Sequence, residues 1–165
     1  MNPSWNDIAD CLRQEVSEYG ALYRFYDEQQ KRLFANDAEA VLRLSGDIEA
    51  QARALHECRL RREGVVTGFA AAHSQPTAST IRSLLPFVPP AARPLIEALI
   101  GEVNVLIHRV RRMSRHNHSL LSRTVELQQQ MLRQFLPDTF SQTYAPDGRV
   151  SLHISSPIPS LRSCG

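Results

Sequence analysis

Three histidines, His108, His116 and His118, lie close together in the chain, and clustered imidazoles are the first place to look for a metal site. On a helix, at about 100° per residue, His116 and His118 diverge by about 200°, and His108 is too far from either to complete a set. They read as solvated surface histidines, and no metal or other cofactor is expected. Glu97 with Glu102, or Glu15 with Glu18, could form a carboxylate pair for acid–base work. Their placement suits an exposed helix face better. Cys11, Cys58 and Cys164 are an odd set without CxxC spacing, which argues for reduced thiols and against both a disulfide framework and a zinc site. No phosphate-binding glycine loop, HExxH or nucleophile elbow is present, and the glycines are scattered. The chain is not expected to be an enzyme.

Arg109, Arg111, Arg112 and Arg115, with Arg61 and Arg62 before them, raise nucleic acid as a partner. No aromatics interleave with these arginines and no helix-turn-helix or RNA-binding fold is readable, so no nucleic-acid partner is expected. The arginines instead face solvent or the acidic first half of the chain. Up to Glu57 there are eleven acidic and six basic residues, a net of −5; from Cys58 onward there are six acidic and thirteen basic, a net of +7. Opposite halves of this kind favour a chain that doubles back on itself, by a modest amount because most such charges stay solvated. No window resembles a membrane span, and Asp7 and Asp10 stand where a signal peptide would carry basic residues. A cytoplasmic protein without stable membrane insertion is expected.

The elements that must carry these residues are helices. With 42% hydrophobic and 22% charged residues, the body of the chain should fold. The longest apolar-periodic run covers 94–136, with Leu95, Leu99, Val103, Leu106, Val110, Met113, Asn117, Leu120, Thr124, Leu127 and Met131 at spacings of three and four along one seam. A helix of that length spans roughly 60 Å at about 1.5 Å per residue and needs long partners. The first partner is predicted over 4–34, with Asn2 as N-cap and Pro3 in the first turn; its stripe of Trp5, Ile8, Leu12, Tyr19 and Leu22 is interrupted only at Glu15 and Gln29. Its aromatics belong to the core more than to a binding cage. Asn36 followed by Glu39 resembles a capping box that starts a second partner over 37–71, fraying towards Gly64 and Gly68. So short a connection makes the two an antiparallel hairpin. Residues 73–93 carry four prolines, with Pro94 directly after them, and form a crossover with one or two helical turns near Thr80 to Leu85.

After Leu136 the rhythm stops. Residues 137–165 are rich in Pro and Ser and read as a flexible tail that orders on binding; the alternating run Val150, Leu152, Ile154 could be a strand only if an edge were supplied. Just before the tail, Leu127, Met131, Leu132, Phe135 and Leu136 make an apolar surface wider than one stripe. Either the crossover covers it, or it is offered to a partner, for which an adaptable Met is well suited.

Several features together resemble a known family. They are the helices joined near Asn36-Asp37-Ala38-Glu39, the proline-broken crossover, Asn117-His118-Ser119-Leu120-Leu121, and Thr143-Tyr144-Ala145-Pro146-Asp147-Gly148-Arg149. Their order and spacing are similar to those of the FlgN family of flagellar export chaperones. The resemblance implies a helical cytoplasmic chaperone, with no cofactor, that binds the C-terminal regions of the hook-filament junction proteins FlgK and FlgL before export. It places cargo binding in the C-terminal portion, here Leu127, Met131, Leu132, Phe135 and Leu136, and matches Tyr144 to the tail aromatic directed at the export gate protein FlhA.

The expectation is therefore an all-α protein: an elongated antiparallel bundle of three long helices over 1–136, with a short crossover helix and a flexible C-terminal tail over 137–165. The alternative function is a helical coiled-coil adaptor or a self-assembling scaffold from another system.

Overall fold

A computed structural model describes residues 3–135, 140–144 and 150–154, with side chains described through Phe135. The fold is an all-α bundle of three long helices: α1 (Trp5–Phe34), α2 (Ala38–Ala72) and, after a short crossover helix α3 (Ile81–Leu84) and a 3-10 turn (Leu85–Phe87), α4 (Arg93–Phe135). These lie within a residue or so of the spans read from periodicity. By contact the chain divides into two units, Met1–Ser119 and Leu120–Gly165.

In the first unit α1 and α2 form the expected antiparallel hairpin, and its core joins Ile8, Leu12 and Leu22 of α1 to Ile48, Leu55 and Phe69 of α2. Ile96, Leu99, Val103 and Val110 of α4 complete it, with Ile81, Leu84 and Val88 of the crossover. The seam of α4 starts at Ile96, which is fully buried, whereas Leu95 is 38% exposed. Adjacent residues sit about 100° apart on a helix, and here Ile96 takes the core-facing position while Leu95 falls to its edge.

The helix ends differ from the expected ones in instructive ways. The N-cap of α1 is Ser4, not Asn2. The Asp7 carboxylate accepts from the Ser4 backbone N–H at 2.6 Å and from its hydroxyl at 2.8 Å, and these bonds hold its pKa below the usual aspartate value. Pro3 instead packs on α2, where a Cβ at Gly68 would lie 2.6 Å from the Pro3 ring. Only glycine allows that approach. The N-cap of α2 is Asp37, whose carboxylate accepts from Ala40 N–H at 3.1 Å. Asn36 takes the left-handed conformation (φ 54°) that closes α1 in a Schellman motif: Asp37 N–H donates to Arg32 O and Asn36 N–H to Leu33 O. Ser74 (φ 54°) ends α2 in the same way, with Gln75 N–H donating to Ala70 O. Helix α2 runs unbroken through Gly46, Gly64 and Gly68 to Ala72.

Thr80 caps the crossover helix by accepting from Ser83 N–H at 3.2 Å, and the Arg93 guanidinium donates to Val88 O and Pro86 O at 3.0 Å each. These bonds set the angle at which the chain enters α4. In the second unit, β1 (Phe140–Tyr144) pairs antiparallel with β2 (Val150–Ile154) in the register Phe140↔Ile154, Gln142↔Leu152, Tyr144↔Val150. The alternating run thus finds its edge inside the C-terminal segment. The expectation of a flexible tail over residues 137–139, 145–149 and 155–165 lies outside the described residues.

Candidate functional site: an exposed apolar face on α4

Helix α4 carries one apolar stripe, and its surroundings change at Asn117. Up to that point the stripe is core: Ile96, Leu99, Val103, Val110 and Asn117 are buried. Asn117 is 3% exposed and ends this part with a polar chain across all three long helices. Its Nδ2 donates to Tyr26 O at 2.7 Å and to Gln29 Oε1 at 3.1 Å; Gln29 Nε2 donates to Ser45 Oγ at 3.1 Å, and Ser45 Oγ to Val41 O at 2.9 Å. Gln29, an interruption in the sequence stripe, is in fact 8% exposed and belongs to the interior.

From Leu121 to Phe135 the stripe continues without cover. Leu127 is 60% exposed, Met131 57%, Leu132 47% and Phe135 77%. At about 100° per residue these side chains fall on the face that Leu99, Val103 and Asn117 occupy further back, and they spread over about half the circumference. Leu121 and Val125, not singled out from the sequence, are also exposed on that face. Their angular position was the available signal. The crossover's own apolar residues, Ile81, Leu84 and Val88, are in the core of the first unit. Leu136 lies outside the described residues, and Tyr144 occupies the last position of β1, opposite Val150.

A second polar feature lies on α1. Glu15, the other interruption in the sequence stripe, is 1% exposed and contacts Arg62 of α2, Nε to Oε1 at 2.6 Å. Burial raises its pKa above the usual glutamate value, and Arg62 opposes the rise. Tyr19 is raised too, first by burial, while Arg59, Arg111 and Arg62 favour its ionised form. Arg61 donates to Gln14 Oε1 at 2.8 Å, so two of the arginines do face the acidic first helix. Arg109, Arg111, Arg112 and Arg115 are exposed.

Cys11 and Cys58 are free and buried, and burial raises both thiols, which suppresses the nucleophilic thiolate. His108, His116 and His118 are exposed. Among the described residues, no group of three or more His, Cys, Asp or Glu could hold a metal ion, and no helix is long and apolar enough to cross a membrane.

The architecture is a three-helix bundle with an exposed apolar face that continues a buried seam of α4. The FlgN family model, described as FlgN protein, matches residues 1–151, from the start of the chain into β2. The chain therefore belongs to the FlgN family, a family of flagellar export chaperones. No curated protein and no solved structure gives a significant match.

Proposed function

We propose that this protein is a cytoplasmic export chaperone that binds the C-terminal regions of the hook-filament junction proteins FlgK and FlgL, keeping them soluble and export-competent. The observation that carries the reading is the uncovered stripe on α4. Leu127, Met131, Leu132 and Phe135 leave exposed the kind of seam that the same helix buries between Ile96 and Val110. An amphipathic cargo helix laid on it would bury apolar surface that neither protein can safely expose alone. Leu136 extends the same contact, and Tyr144 serves a separate contact with the export gate protein FlhA.

Release of the cargo matters as much as capture. Ordering a cargo segment on binding reduces the net affinity by about 2–5 kcal/mol, which suits a complex that must come apart at the export gate. Family membership supports the chaperone role, and the exposed face supports a helical, apolar cargo.

The test is co-purification of the chain with the C-terminal helical segments of FlgK and FlgL, followed by size exclusion with light scattering. A defined complex is expected, lost when Leu127, Met131 and Phe135 are replaced by Ser in a protein that stays helical. No complex with either segment, together with a stable oligomer of the chain alone, would favour a self-assembling scaffold instead.

A further inference from the structure

An open cleft of about 340 Å³ in the first unit plays no part in the proposed cargo contact. Arg59 and Arg62 of α2, Arg82 of α3 and Arg111 of α4 line it, together with Glu15 and Tyr19 of α1. Four guanidinium groups from three separate elements thus surround a single carboxylate, and Arg62 already engages that carboxylate. Among the described residues, the side chains of Arg59, Arg82 and Arg111 form neither an ion pair nor a hydrogen bond. Leu12, Ile100 and Ile107 give the cleft an apolar wall.

Gathering like charges around a concavity is unfavourable until an anion enters, and the field inside such a cleft is focused by its low-dielectric walls. Three free guanidinium groups match a multiply charged group with several acceptor oxygens better than a lone monocarboxylate. The apolar wall argues for a ligand with a ring or hydrocarbon body, and the volume suits a small molecule. We propose that this cleft binds a small organic phosphate. Arg59, Arg82 and Arg111 hold the phosphate oxygens, the body packs on Ile100 and Ile107, and Glu15 neutralises Arg62.

Phenyl phosphate, phenol, benzoate and inorganic phosphate are the probes, titrated into the full chain by calorimetry and by heteronuclear NMR. Phenyl phosphate should saturate a single site and bind about tenfold or more tighter than the other three, as hydrogen bonds to charged groups allow. The double variant R82A/R111A should lose that binding. The variant R109A/R112A, which removes the same charge from exposed positions of α4 outside the cleft, should keep it. If R82A/R111A does not melt cooperatively, Arg82→Gln alone serves for the same comparison, because that side chain is exposed. Equal weakening by both double variants would reduce the effect to diffuse surface charge and overturn the site. Equal binding of benzoate would overturn the phosphate assignment, and absence of saturation at millimolar phenyl phosphate would overturn the proposal as a whole.

Discussion

Asn117 of α4 donates its side-chain amide to Gln29 Oε1 of α1 at 3.1 Å, inside an otherwise apolar interface. The two residues are 88 positions apart in sequence, and both are more than nine-tenths buried. Because Gln29 also reaches Ser45 of α2, the contact links all three long helices at one level. A slide of α4 by one turn would part the Asn117 amide from both its acceptors and leave Gln29 Oε1 without its donor, whereas an apolar contact at the same place would tolerate it. The pair sets register where the buried part of the α4 stripe ends.

Asn117→Ala should therefore be costly beyond its size. It strips Gln29 Oε1 and Tyr26 O of a donor, and a buried group left unsatisfied costs about 1–3 kcal/mol. Urea unfolding monitored by circular dichroism checks it; a loss below about 0.5 kcal/mol, the range of ordinary surface changes, would mean that the interface relaxes around the gap.

Periodicity made the helices legible, and hydropathy alone hid their polar joints. The stripe of α1 seemed interrupted at Glu15 and Gln29 because partners such as Arg62 and Asn117 come from distant parts of the chain. The sequence pattern puts Asn36 at the cap of α2; in the structure it closes α1 in the left-handed turn, and the cap falls to Asp37. The strand Val150–Ile154 was visible as an alternating run, but its partner Phe140–Tyr144 mixes Phe and Tyr with Ser, Gln and Thr and carries a weak apolar signal. For the face on α4, the residues were readable and their exposure was not, since periodicity marks an apolar stripe without saying whether anything covers it.

Glu15 makes stability depend on pH in a direction opposite to most carboxylates. Its folded pKa lies above the ordinary value, so the folded chain binds this proton more readily than the unfolded chain does. The stabilisation linked to that proton is full below the unfolded glutamate value and is lost as pH rises through the raised one. Relative to Glu15→Gln, the native protein should lose stability across that window. Paired urea titrations at a series of pH values test it, and a constant difference between the two proteins would show that Glu15 titrates alike in both states. Arg62→Met should be harsher, about 3–5 kcal/mol at neutral pH, because it leaves a carboxylate only 1% exposed without its counter-charge.

Two glycines of α2 should respond oppositely to Ala. Gly46 has open space where a Cβ would go, so Gly46→Ala should stabilise by about 0.5–1 kcal/mol through helix propensity. Gly68→Ala gains the same propensity but drives a methyl group to 2.6 Å from the Pro3 ring. It should bring no gain, and it should shift the N-terminal segment off α2. Thermal melts of the two variants, with amide exchange at residues 5–9, separate the cases; equal stabilisation by both would mean that Pro3 moves aside freely.

On the α4 face, stability and binding should come apart. Phe135 is 77% exposed and Leu127 60%, so Phe135→Ser and Leu127→Ser remove little that the folded chain uses and should change its stability by less than about 0.5 kcal/mol. Both belong to the exposed apolar face, where an anchoring apolar side chain contributes about 2 kcal/mol to a complex, or roughly thirtyfold in affinity. Calorimetric titration of each variant with the C-terminal segments of FlgK and FlgL reads the effect directly. Met131→Leu supplies the control: it keeps the volume and apolarity while removing the flexible thioether, so it should retain affinity for a single cargo and narrow the tolerance between two. Serine variants that bind as tightly as the native chain would move the cargo contact off this face.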